Sequence, residues 1–315
     1  MFVPLFSERP PSHPHRNIYP RKGGGGGKGG GSTGGGKGGG GSTGGSKGGG
    51  SSGGGSPKSV PLGGKAPVGK GTATAYGGGG GKVTTIPSGS IFAGRSVGGA
   101  SRSQVFGSRT YGSGYPGISG RGVSSRGFPF YFWPVVWGGA AGNTNAAYLH
   151  DSEYGDPSNS SRPGGPMTQA NFVSNSTNTT FHLLADNSTV SALISTIDTN
   201  CSSHLSSSSS TTAVAYNSSD PNAPQPQQAV QYYRASSVVL TLDGYNDTAA
   251  LSSDANAPDT PLPTNIDTTL LDCLNQTIGL SVPLVDAAGA RWTAAPGMGA
   301  IGLFWVVWLL VGNMI

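Results

Sequence analysis

The sequence predicts a small α+β domain of two helices and about three strands, clamped by one disulfide. A mostly disordered N-terminal half precedes it and a C-terminal hydrophobic helix follows. Three observations carry this. Gly is concentrated: 32 of the 56 glycines lie in residues 22–81, a stretch with too little apolar surface to offset the entropy of ordering it. Two later stretches repeat apolar residues at helical spacing, each with one of the two cysteines. The last 24 residues carry no charge.

The first 21 residues are irregular. The apolar run MFVPLF ends after six residues at Ser7, short of the 7–15 apolar residues of a secretory signal, so no signal peptide is evident. Residues 22–81 read as a flexible Gly/Lys-rich linker. In residues 82–142 Arg replaces Lys, and aromatic side chains appear among Gly and Ser. The aromatics culminate in FPFYFWPVVWGG, with Phe128, Phe130, Tyr131, Phe132, Trp133 and Trp137. As a membrane span this segment is short and holds Pro129 and Pro134, so it reads as an interfacial or folded aromatic segment.

The folding unit is expected over residues 166–285. Phe181–Ala185, Val230–Tyr233 and Val238–Leu242 read as strands. Asn187 or Ser188 is the expected cap of a helix whose inner face is Val190, Leu193, Ile194, Ile197 and Cys201. Thr264 or Asn265 is the expected cap of a second, with Ile266, Leu270, Cys273, Leu274 and Ile278 inward. The Ser run after Cys201 and the Pro/Gln segment after it read as a long solvated loop. Cys201 and Cys273 fall on the inner faces of different helices, so a disulfide between them is the natural pairing in an oxidising compartment.

Compartment is argued most strongly by glycosylation sequons. Asn-X-Ser/Thr occurs at Asn159, Asn175, Asn178, Asn187, Asn200, Asn217, Asn246 and Asn275. That is eight of the 12 asparagines in residues 159–275, more than twice what the local Ser/Thr density gives by chance. None lies in the basic half.

The uncharged tail from Trp292 to Ile315 follows a run of small residues around Asp286, Ala287 and Ala288. Small residues, a short spacer and a terminal apolar tail form the pattern of a GPI-anchor signal, with those three residues as attachment candidates. The same tail also reads as a retained transmembrane anchor.

Charge is divided as sharply. Residues 1–126 carry 16 Lys+Arg and one acid, while residues 127–315 carry three Arg and 13 acids. A basic arm of this kind meets polyanions: acidic glycans outside the cell, or acidic lipid and RNA inside it. Nucleic acid is not the expected partner, because no folded nucleic-acid module accompanies the arm.

Catalytic and cofactor motifs do not rise above composition. Gly94-Arg95-Ser96-Val97-Gly98 matches the hydrolase elbow, a pattern a Gly/Ser-rich chain makes by accident, and no strand signal precedes it. Gly-Lys is never followed by Ser or Thr, so no phosphate loop is present. His150, Asp151 and Glu153 read as a solvated acidic turn rather than a metal site. No catalytic residue, metal ligand or cofactor is expected.

GKGTATAYGGGGGKVTTIPSGSIFAGR, FPFYFWPVVWGG, QAVQYYRASSVVLTLDGYNDT and DTTLLDCLNQTIG resemble segments of basidiomycete-type fungal proteins that are Gly-rich in front and sequon-rich behind. That resemblance implies secretion and surface display, and carries no activity. The expectation is a non-catalytic cell-surface glycoprotein, structural or adhesive, with the membrane as partner through its tail or a GPI anchor. The alternative is a tail-anchored membrane protein with a cytosolic, polyanion-binding arm.

Overall fold

The structure, a computed structural model, describes residues 56–63, 70–117, 120–138, 146–254 and 256–287. The expected irregular N-terminus, most of the Gly/Lys-rich linker, Ala288 and the hydrophobic tail lie outside these residues. Nine strands are described: β1 (Lys58–Pro61), β2 (Thr72–Ala75), β3 (Thr84–Thr85), β4 (Ser96–Val97), β5 (Met167–Val173), β6 (Thr180–Asp186), β7 (Val214–Ala215), β8 (Ala229–Tyr233) and β9 (Val238–Leu242). The two α-helices are α1 (Asn187–Cys201) and α2 (Thr268–Ser281).

Five strands form the central antiparallel sheet in the order β7-β5-β6-β9-β8. Register places Phe172, Phe181 and Leu242 in one row and Ala170, Leu183 and Leu240 in the next. Since side chains alternate across a strand, these rows share one face. The helices pack there, with α1 against both β5 and β6. Val190, Leu193 and Ile197 of α1 and Leu270, Leu274 and Ile278 of α2 are all buried, as their spacing predicts.

The helix starts differ from expectation. Asp186 caps α1, its Oδ1 accepting from Thr189 N at 3.0 Å. Asp267 caps α2, accepting from Leu270 N at 2.9 Å. Asn187 and Ser188 lie within the first turn of α1, while Thr264 and Asn265 precede α2. A carboxylate facing the free N–H groups adds favourable charge that a neutral cap lacks, which outweighs sequence position.

Both sheet edges are covered. Along β8, Tyr232 N donates to Ser108 O at 2.8 Å and Arg234 N to Val105 O at 2.7 Å. Along β5, the Ser run supplies partners beyond the two residues of β7. Ser206 N donates to Val173 O and Ser210 N to Asn171 O, both at 2.8 Å, while the Ser209 and Ser210 hydroxyls accept from Val173 N and Asn171 N. The Ser run is therefore an edge seal and not a solvated excursion. An exposed row of β5 amides without partners is a pairing hazard that it removes.

The folded unit also begins well upstream of residue 166. Phe128, Phe130, Tyr131, Phe132, Trp133 and Trp137 are all buried in the same core cluster as the sheet. They cover part of the sheet face opposite the helices. Trp137 meets Tyr232 edge-on at 6.5 Å, and Val136 lies against Met167. Phe92 packs on Phe128, Trp133 and Tyr154 with centroids 5.0–5.4 Å apart. The described residues of 82–138 are thus a layer of this domain, against the expectation of a mostly disordered N-terminal half. Even part of the Gly/Lys-rich run belongs to it. β1 pairs with β2, and Thr74 exchanges backbone hydrogen bonds with Leu284. Ring burial supplies the energy that the glycines cannot. Glycine permits the close approaches: Gly112, at φ +89°, leaves no room for a Cβ against the Gly122 carbonyl.

These layers converge on one ion pair. The β8–β9 turn, Arg234–Ser237, is wholly buried, and Arg234, Ala235 and Ser236 take φ values of 50°, 48° and 59°. Arg234 Nη2 donates to Asp186 Oδ2 at 2.6 Å, Nη1 to Thr189 Oγ1 and Pro283 O, and Nε to Ser237 Oγ. Its guanidinium lies 3.3 Å from the Phe132 ring centroid. Burial pulls the Arg234 pKa down to about 10 and Asp186 opposes that pull, so the group stays charged at neutral pH. Gly164 completes the hub, since a side chain there would strike the Asp186 carboxylate.

Two predictions follow from this packing. Asp186→Asn leaves a buried guanidinium uncompensated and is expected to cost about 3–5 kcal/mol in urea unfolding; a loss below about 1 kcal/mol would remove the pair from its central role. Burial also raises the pKa of Tyr111, Tyr115, Tyr216 and Tyr232. Phenols held neutral by the fold stabilise it below the ordinary tyrosine pKa of about 10 and lose that contribution as pH rises through their folded values. Phenolate absorbance from these four should appear only with alkaline unfolding, and reversible ionisation in the folded state would contradict it.

Candidate functional site

The outer surface of the helical layer brings several of the sequence-predicted residues together. Asn187 and Asn200 lie at the two ends of α1, and both are exposed. Asn175, Asn178, Asn217 and Asn246 are exposed as well, so six of the eight sequon asparagines face solvent. Asn159 is half-buried, its Oδ1 accepting from Ser161 N. Asn275, also half-buried, accepts from the Tyr233 hydroxyl at 2.8 Å through Oδ1.

The pair Cys201–Cys273 forms the expected disulfide, with Cα atoms 5.9 Å apart and a sequence separation of 72. It joins the last residue of α1 to the middle of α2. Cys201 is fully buried, whereas Cys273 is half-buried.

A groove of about 540 Å³ runs between α1 and the Ser run. Its walls carry the hydroxyls of Ser191, Ser195, Ser206 and Ser209 around one carboxylate, Asp198, and a second recess continues it to Asn187. Hydroxyls that both donate and accept can hydrogen-bond a polyhydroxyl chain. They offer no nucleophile–base pair and no fixed charge beyond Asp198.

Of the arginines expected in the basic arm, the five among the described residues are used inside the fold, while Arg9, Arg16 and Arg21 lie outside those residues. Arg95 pairs with Glu153 and lies over Phe92. Arg102 donates to Gly77 O and Val282 O. Arg109 reaches Thr260 O, Arg121 reaches Ala249 O and Ala257 O, and Arg126 reaches Gly112 O at 2.7 Å while lying over Tyr115. Arg162 is buried too, donating to Tyr154 O, Trp133 O and Pro134 O. Backbone carbonyls left unpaired by irregular chain are the acceptors, and the planar five-donor guanidinium spans several at once. Sequence reasoning missed these roles. The one available signal was that Arg162 and Arg234 stand almost alone among acids in the second half of the chain.

Other motifs resolve locally. Glu153 is held by Arg95 and accepts from Ser125 N. Ser96 sits inside β4, not on a strand-to-helix turn. Among the described residues no group of three His, Cys, Asp or Glu side chains is placed to hold a metal ion, and no helix is long and apolar enough to cross a membrane. Asp286 is tied into the fold, its Oδ1 accepting from Gly79 N at 2.8 Å, and Ala287 N donates to Gly79 O.

No protein-family model matches the chain, and neither does any curated protein or solved structure.

Replacing Cys201 and Cys273 together by Ser reopens a loop of 72 residues, which chain entropy values at about 4 kcal/mol. A drop of that order in unfolding free energy is expected in the double variant. Unchanged stability would mean that helix packing alone holds α1 against α2.

Proposed function

We propose that this chain is a non-catalytic cell-surface glycoprotein, structural or adhesive at the membrane or wall. The observation that carries the reading is a coincidence of two compartment markers on one domain. Six sequon asparagines lie on its solvent surface while its two cysteines are paired. Both modifications belong to the secretory route. The likeness to basidiomycete-type surface proteins points the same way. The hydroxyl-lined groove along α1 is a surface suited to polysaccharide, consistent with an adhesive role.

A GPI anchor suits the end of the domain. Asp286 and Ala287 are stitched to Gly79, so Ala288, next in sequence, is the attachment residue that leaves the fold intact. A polyanion-binding arm in the cytosol is less well supported. The arginines between 95 and 126 already have internal partners, which leaves cationic contact to Arg9, Arg16, Arg21 and the lysines before residue 83.

The test is electrophoresis of protein made in a eukaryotic host, with and without an endoglycosidase. A downward shift by several glycans is expected. Well-expressed, membrane-bound protein that does not shift would overturn the surface reading in favour of a cytosolic, tail-anchored protein.

A further inference from the structure

Beside the disulfide, a second cavity of about 450 Å³ opens between the end of α1, the C-terminal half of α2 and the turn after β2. Tyr76, Asn200, Cys273, Gln276, Thr277 and Leu280 contribute to its wall. Asn200 is itself an exposed sequon asparagine.

One side of the wall is a stripe of α2. Cys273, Gln276, Thr277 and Leu280 follow at helical spacing, so they share a face about 10 Å long. The disulfide ties the first of them to Cys201, the neighbour of Asn200. A group attached to Asn200 therefore starts at one end of this stripe. Leu280, at the other end, is 48% exposed, and an apolar side chain left open beside a recess calls for a cover. From the turn after β2, Tyr76 takes φ 64°, an unfavourable backbone form for a ring-bearing residue. Its hydroxyl donates to Thr196 Oγ1 at 3.5 Å, which holds the ring against α1. Gln276 is exposed, and its amide both donates and accepts.

The cavity needs no counter-ion. Arg102 donates to Gly77 O, Gly279 O and Val282 O and has the charge of Asp286 beside it. Its Nη2 and the Ser281 hydroxyl have no partner, but both are sealed from the open space. What remains accessible is apolar surface and a neutral amide. That suits an acetamido sugar, with its C–H faces against Tyr76 and Leu280 and its acetamide at Gln276. We propose that this cavity seats the first N-acetylglucosamines of the glycan on Asn200, so that the modification becomes part of the wall between the helices. The inference rests on the secretory reading of the domain. A tethered sugar has a high effective concentration and needs little intrinsic affinity. Chain order favours attachment. Cys273 follows Asn200 by 73 residues, several seconds of synthesis at about 5–20 residues per second, so the asparagine is available before its neighbour can be bridged.

The experiment is thermal unfolding of the full chain made in a eukaryotic host and solubilised in detergent, with glycopeptide mass spectrometry to read occupancy. Asn200 should be occupied. Ser202→Ala removes its sequon while leaving Asn200 in place, and Tm should fall by about 2–4 °C. Trimming with an endoglycosidase that leaves one N-acetylglucosamine should retain most of that stability. Ser219→Ala, which removes the exposed sequon at Asn217, should leave Tm unchanged. Leu280→Ser should lower Tm in the glycosylated chain and do so far less in the Ser202→Ala background, where no sugar covers that position. An empty Asn200 with glycans on other sequons would overturn this proposal alone, whereas a chain with no N-glycan at all would overturn the surface reading with it. Equal shifts from Ser202→Ala and Ser219→Ala, or a Leu280→Ser effect of the same size in both backgrounds, would overturn it too.

Discussion

The buried contact between Asp186 and Arg234 is the constraint on which the rest of this structure depends. Asp186 ends β6, caps α1 and neutralises Arg234 with one carboxylate. Arg234 opens the β8–β9 turn, lies over Phe132 of the aromatic layer and reaches Pro283 after α2. Sheet, helices and aromatic coil are thereby referred to a single charge pair. Three consecutive left-handed residues in a buried turn are unfavourable on their own. They persist because the guanidinium occupies that place only when the turn takes this form.

Around the hub, arginine does work that regular secondary structure does elsewhere. The described residues of 82–138 contain only short strands, so many of their carbonyls have no ladder partner. Arg102, Arg121, Arg126 and Arg162 each satisfy two or three carbonyls, and Arg109 satisfies that of Thr260. Aromatic rings bring the apolar area and glycines let the backbones approach. The uneven charge of the chain is in part a trace of this architecture. Arginines of the basic half lie against backbone and Glu153 of the acidic half.

The surface features are arranged around the same frame. Groove and disulfide cavity lie on the helical side, one along α1 and one between the ends of the helices. Of the exposed sequon asparagines, Asn187 borders the recess that continues the groove and Asn200 borders the cavity. The aromatic layer on the far side carries a recess of its own, of about 380 Å³, beside Ser96, Tyr115 and Pro129.

Much of the core domain was legible in the sequence. Strands β6, β8 and β9 and both helices follow from periodicity, because burying one face imposes a spacing that composition alone does not produce. Cys201 and Cys273 fell on inward positions of that same spacing, which is why their pairing could be anticipated. The sequons and the uncharged tail are local patterns, readable without a fold. Everything non-local was decided by the tertiary structure. A carboxylate becomes a cap and ion-pair partner only when Arg234 is brought 48 residues back to it. A Gly/Arg/aromatic stretch looks like a flexible arm until a sheet face exists to receive its rings, and an orphan nitrogen on Arg102 exists only once its other donors are taken. Local chemistry is written in neighbouring residues; burial and partnership are properties of the assembled chain.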